Sequence, residues 1–220
     1  MSQLKIWGRM SSINVKKAVW TAQELGLDFE RHEAGGVHGV VKTPAYVALN
    51  PNSQIPVVED GDYVLWESNV ITRYLCAKHS PGNFYPTELQ ERFDAERWMA
   101  WQQTMLNPAS RNGFWHLIRL PADQRDPALV AQSNAAVEPL LAILDAHLAT
   151  RSFMVGERFT MADIPAGSLT HRWFNWTPKT ALPAHPNVRS WFERLAARPA
   201  YQEHVIKANA KRTQEIAARG

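Results

Sequence analysis

NPNSQIPVVEDGDYVLWESNVITRYL, residues 50–75, decides how the rest of the chain is read, because it holds a proline-fixed bend, a hairpin and a helix start within one ligand-sized footprint. Pro56 opens the apolar run Val57-Val58, where its missing N–H does least harm to a strand. Two geometries are open at this bond: a trans proline beginning an edge strand, or a cis bond turning the Ile55 carbonyl and N–H outward toward a ligand. Asp60-Gly61-Asp62 then separates Val57-Val58 from Tyr63-Val64-Leu65 as a hairpin turn. Glu67-Ser68-Asn69 comes ahead of Val70, Ile71, Tyr74 and Leu75 at helical spacing, which marks a helix start. Such an N-terminus, with unpaired N–H groups and partial positive charge, suits a carboxylate, to which the Ser68 hydroxyl adds a donor. Glu67 beside it suits an ammonium on the same ligand. Taken alone, the tripeptide serves equally well as a plain helix cap.

Upstream, Leu4-Lys5-Ile6-Trp7 alternates as a short strand, and Gly8 with Ser11-Ser12 breaks it into a loop. Val15, Ala18, Val19, Ala22 and Leu25 form one helical face, ended by Gly26. Leu27 to Glu33 resumes an extended run, so residues 4–33 read as a βαβ unit with parallel strands. Ala34 to Tyr46 reads as irregular; it has neither the glycine spacing nor the Lys-Ser/Thr of a phosphate loop, which excludes a nucleotide site there. With the hairpin and helix that follow, the first domain is βαβ then ββα over residues 1–80.

A linker is expected over 81–87, and an all-helical domain over 88–220. Glu88 to Asn107 reads as a long helix stopped at Pro108, Arg111 to Leu120 as a second, and Pro127 to Leu148 as a third, with Val137, Leu140, Leu141, Leu144 and Leu148 as its buried stripe. Thr160 and Asp163 have capping-box spacing, with Asp in place of Glu. Val188, Trp191, Phe192 and Leu195 mark a further helix ending before Pro199, and the last twenty residues read as helical at first, then frayed.

The 220 residues are 45% hydrophobic and 20% charged, ordinary globular composition, and the formal charge of +3 is spread along the chain, which disfavours a nucleic-acid partner. No run of about eighteen apolar residues is evident, and Met1 to Arg9 lacks a signal-peptide pattern, so the expectation is a cytoplasmic protein with no membrane partner. The single cysteine, Cys76, falls at an apolar helix position and reads as a small buried hydrophobe.

Asn50-Pro51, Ile55-Pro56-Val57, Leu65-Trp66-Glu67-Ser68 and Ile71-x-x-Tyr74-Leu75 resemble, in order and spacing, the glutathione-binding half of cytosolic glutathione transferases. That resemblance implies a thioredoxin-like first domain with a cis bond at Pro56. It further implies pairing of the Ile55 backbone with the cysteinyl part of glutathione, and Glu67 with Ser68 on its γ-glutamyl end. A homodimer is implied too, with Arg73, Trp98 and Trp101 near the subunit contact, and a structural cap for Asp163.

Glutathione is then the co-substrate, and no metal is expected. A free thiol with pKa about 8.5 is only a few per cent thiolate at neutral pH, and the thiolate is the nucleophile. Lowering that pKa by roughly two units requires about 2.7 kcal/mol of preferential anion stabilisation. A donor held toward the sulfur after the first strand supplies it, helped by the N-terminus of the next helix. Ser12 matches the catalytic serine of the serine-type transferases; Asn14, a residue type found here in some bacterial relatives, is second, and Ser11 third. As residues, Ser12 and Asn14 are also favoured helix caps.

Many relatives carry Lys or His just before the Ile-Pro pair, whereas this chain has Ser53-Gln54. Gln54 keeps a hydrogen bond to the glycyl carboxylate without a charge, and Lys42 or His38 is placed to add one. The electrophile is expected to be small and hydrophobic, in a pocket between the domains walled by Met105 to Trp115 and Trp173 to Trp176, with Arg111 near its mouth. Two other functions share this frame: glutathione-dependent disulfide or peroxide reduction at the same site, and a transferase-like binding domain without turnover.

Overall fold

A computed structural model describes residues 4–176 and 185–208. Strands β1 (Leu4–Trp7), β2 (Phe29–His32), β3 (Val57–Asp60) and β4 (Tyr63–Trp66) form one sheet in the order β2-β1-β3-β4. β1 and β2 are parallel because helix α1 (Ile13–Glu24) crosses between them, while β3 runs antiparallel to both β1 and β4. The βαβ and ββα halves therefore form as expected, closed by α3 (Ser68–His79). α1 and α3 cover one face, burying Val15, Ala18, Val19, Ile71 and Leu75 against Leu4, Ile6 and Val58.

β3 lies inside the sheet, not at its edge, and the Ile55–Pro56 bond is cis. Residues 34–46 are less irregular than their composition implies. A 3₁₀ turn covers Gly36–His38, and helix α2 spans Pro44–Leu49, started by Thr43, whose hydroxyl accepts from the Tyr46 N–H at 3.3 Å. The Pro81 segment is anchored to the second half: Arg158 donates to the Gly82 carbonyl (2.9 Å) and the Met161 N–H to that of Phe84 (2.9 Å).

Beyond it lie α4 (Leu89–Trp101), α5 (Asn107–Phe114), α6 (Pro127–Leu148), α7 (Asp163–Trp176) and α8 (Pro186–Ala196). Then come α9 (Pro199–Tyr201) and a π turn over Gln202–Lys207. Pro108 does not stop the helix before it. α4 passes through a π turn at Gln102–Leu106, in which the Asn107 N–H reaches back to the Gln102 carbonyl, and continues as α5. This wider turn gives the proline ring room where an α turn would crowd it, so the two expected helices join.

α6 is long and apolar enough by length and composition to cross a membrane, a property the sequence reading overlooked. Here its Val137, Leu140, Leu141, Leu144 and Leu148 face joins the core, and Asp145 accepts from the Asn187 and Val188 N–H groups at the start of α8 (2.8 and 3.0 Å). Trp98, expected near a subunit contact, is buried in this core against Trp101 and His147. Cys76 is fully buried, which pushes its thiol pKa up to about 12. Of the C-terminal helical expectation, residues 209–220 lie outside the described part.

Candidate active site

The bend before Pro56 is built by its neighbours. The Asn50 side-chain amide and the Tyr46 hydroxyl both donate to the Gln54 carbonyl, each at 2.9 Å, and Asn50 Oδ1 accepts from the Asn52 N–H at 3.0 Å. Asn50 is 2% exposed, so this brace is an interior one. Glu67 stands at the N-cap of α3 with φ of 74°, a left-handed conformation that costs a non-glycine residue about 1 kcal/mol or more. Its carboxylate makes no side-chain cap bond, so plain capping does not account for it.

These elements converge. Asn14, Gln54, Ile55, Pro56, Glu67 and Ser68, with Asn50 and Asn52, line one cavity of about 140 Å³. Four side-chain amides, one carboxylate and the N-terminus of a twelve-residue helix form a surface for a short zwitterionic peptide rather than an apolar molecule. Ser12 is the N-cap of α1 and half-buried, and its hydroxyl makes no cap bond. Ser11, which accepts from Arg9 Nε at 3.1 Å, lines a second cavity of about 650 Å³. Of the three candidate donors, Ser11 thus lines the larger cavity, Asn14 in the first turn of α1 the smaller, and Ser12 neither. The loop before α1 is held down at Gly8 (φ 140°), where a Cβ would come within 2.4 Å of Val15 Cγ2.

Lys42 and Arg111 are exposed and line neither cavity. His38 lines the larger one. The expected electrophile walls fall elsewhere: Ser110, Gly113, Phe114 and Trp173 border a cleft of only about 30 Å³ inside the helical domain. The Trp176 side chain lies outside the described part.

Sequence reading missed the support beneath Glu67 and Ser68. Lys17, 3% exposed, donates from α1 to Asn69 Oδ1 on α3 (3.0 Å) and to Gln102 Oε1 in the π turn (3.4 Å). Asn69 in turn donates to the Met99 carbonyl at 3.2 Å. Burial, then the charge of Arg172, lowers the Lys17 pKa to about 7, against a smaller raising effect of Glu67. Only the doublet Lys16-Lys17, set between the apolar Val15 and Ala18-Val19, pointed toward it.

Two family models match the chain: the N-terminal domain of glutathione S-transferases over residues 2–77 and the C-terminal domain over 99–199. Glutathione S-transferase GstB of Escherichia coli (strain K12) is 35% identical over 209 residues, 92% of this chain and 98% of that protein. Glutathione S-transferase 3 of Zea mays is 34% identical, over 93% and 94% of the two chains. Among solved structures, a theta class glutathione S-transferase from Xanthomonas axonopodis pv. citri with glutathione bound superposes at TM-score 0.88. It shares 43% identity and covers 93% of this chain and 98% of that one. The chain belongs to the glutathione S-transferase family.

Proposed function

We propose that this transferase holds glutathione in the cavity of about 140 Å³ and presents its sulfur to the loop before α1. Glu67 faces the γ-glutamyl ammonium, while Ser68 and the α3 N-terminus take the γ-glutamyl carboxylate. The Ile55 backbone beside the cis bond pairs with the cysteinyl unit, and Gln54 reaches the glycyl carboxylate, with Lys42 as an outlying positive charge. Ser12 donates to the thiolate, with Asn14 next in order and Ser11 third. No role is proposed for Arg111.

The thiol proton leaves to solvent. The sulfur then forms a C–S bond at an electrophilic carbon, and the leaving group departs with its bonding pair. The observation that carries this reading is the convergence of Asn14, Ile55–Pro56 and Glu67–Ser68 on one polar cavity. We also propose a cytoplasmic homodimer, supported by apolar side chains left exposed on β4, α3 and α4.

Titrating bound glutathione by its ultraviolet thiolate absorbance tests the donor. In the wild type the bound thiol should ionise well below the free value of about 8.5. Ser12→Ala should raise that pKa and lower kcat by about 10²-fold, with glutathione affinity nearly unchanged. Unchanged pKa and kcat would remove Ser12 from the mechanism and move the assignment to Asn14.

A further inference from the structure

Two helix starts line the smaller cavity: Asn14 from the first turn of α1, and Glu67 with Ser68 at the start of α3. The contacts that set the gap between them lie outside the cavity. Lys17 comes three residues after Asn14, and residues at that spacing are neighbours on a helix. Its Nζ crosses to Asn69 Oδ1, on the residue after Ser68, at 3.0 Å, and to Gln102 Oε1 in the π turn at 3.4 Å. Asn69 is held from its other end as well, where Nδ2 donates to the Met99 carbonyl (3.2 Å) and to Gln103 Oε1 (3.3 Å). Lys17, Asn69 and Gln102 are all buried, so the bonds among them act in a low-dielectric interior.

Two features ask for more than packing. Glu67 is left-handed, and a strained residue of this kind persists only where its surroundings hold it; Asn69, two residues on, supplies a fixed point. An apolar side chain of similar volume in place of a buried charge is often neutral or stabilising. Stability alone therefore does not explain a lysine between α1 and α3.

We propose that Lys17 is a positioning residue for glutathione: its bond to Asn69 fixes the start of α3 against the start of α1, and so sets where Glu67 and Ser68 stand relative to Asn14. This rests on the transferase reading above and deepens it. Lys17 lines neither cavity, so its effect passes through Asn69. The γ-glutamyl contacts it aligns are made in the ground state and the transition state alike, so losing the alignment weakens binding and spares the chemical step. Ser12, which acts on the thiol, has the opposite signature.

Lys17→Met keeps the length of the side chain and removes its donors. Assayed with 1-chloro-2,4-dinitrobenzene, it should raise KM for glutathione about tenfold and leave kcat within about twofold of the wild type. The Kd of unreactive S-methylglutathione should rise in parallel. Asn69→Ala removes the acceptor and should also raise KM, and the double variant should be no worse than Asn69→Ala alone, because the two changes break one bond. Thr21→Val is the control for general loosening. The Thr21 and Thr72 hydroxyls meet at 3.2 Å one turn deeper between the same two helices, and removing that contact should leave KM unaltered.

Unchanged KM in Lys17→Met, with the bound thiol still ionising low, would overturn the inference and leave the transferase reading standing. A fall in kcat larger than the rise in KM would overturn it too, by moving Lys17 to the chemical step. An equal rise in KM from Thr21→Val would show only a loosened α1–α3 contact and would count against it in the same way. Should Lys17→Met fail to fold, Asn69→Ala decides on the same readouts. A wild type that binds no S-methylglutathione would overturn both readings together.

Discussion

Asp163 shows how one residue's chemistry can be fixed by its donors. Its carboxylate accepts from the Met154 N–H (2.9 Å), the Thr160 N–H (2.8 Å) and Trp191 Nε1 (2.8 Å), all inside the core. The capping box foreseen from Thr160 and Asp163 forms on one side only. Asp163 reaches back to the Thr160 N–H, while the Thr160 hydroxyl accepts from Ala162 instead (3.4 Å). Burial raises the Asp163 pKa to about 6 against the pull of those donors. Asparagine has nearly the same shape but replaces one acceptor oxygen with a donor, which would oppose the groups aimed at it. Asp163→Asn should therefore cost roughly 2–3 kcal/mol, read as a lower urea midpoint with glutathione affinity preserved. A midpoint within error of the wild type would show that these hydrogen bonds contribute no net stability. The cis bond at Pro56 was legible only through the family resemblance, since its residues leave both geometries open. Asn69, Lys17 and Gln102 were not legible, since the bonds that join Lys17 to the other two span 52 and 85 residues.

At the scale of elements, legibility followed local signals. Thr43-Pro44 is a good helix start, and α2 follows it; only the glycines ahead of it made that segment read as loop. Pro108 misled in the opposite sense, because the π turn that accommodates it has no signature in residue order. That turn places Gln102 against Lys17, joining α1, α3 and the α4–α5 run through Asn69, the residue after Ser68.

The join has a pH signature. Lys16 and Lys17 have folded pKa values of about 7 against an unfolded value near 10.5. Below pH 7 both folded and unfolded states carry the protons, and the full cost of burying charge is present. Above it the folded protein sheds protons that the unfolded chain keeps, so stability rises with pH, by up to about 1.4 kcal/mol per pH unit for each lysine. Above about pH 8.5 the thiol of Cys76 begins to ionise in the unfolded chain and opposes the trend. The urea midpoint should thus climb between pH 7 and 8.5, and Lys17→Met should remove about half of the climb. A flat midpoint in the wild type would mean that both lysines stay protonated in the folded protein.

For the whole molecule, the two halves share a core. Trp20 of α1 is fully buried among Phe159 and Tyr201, and Glu24 forms a two-point ion pair with Arg198 (2.8 and 2.7 Å). Gly167 lets α7 approach: a Cβ there would stand 2.5 Å from Leu195 Cδ1 and 3.2 Å from the Trp20 ring. Composition gave no sign of this docking, since Trp20 reads in sequence like any apolar helix residue.

The shared core leaves other faces apolar and uncovered. Trp66 is 37% exposed, Val70 41%, Leu89 56% and Phe93 63%, and the Arg73–Glu96 ion pair at 2.5 Å ties α3 to α4 between them. Large apolar side chains gathered on joined elements are where the proposed dimer contact is tested. Light scattering should give about twice the chain mass of 24.9 kDa. Phe93→Asp sets a carboxylate in that contact, which would have to be desolvated without a partner, so the mass should fall to that of one chain at micromolar concentration. A wild type that runs at the single-chain mass would refute the dimer. A Phe93→Asp variant that stays at double mass would leave the dimer intact and move its contact to another face.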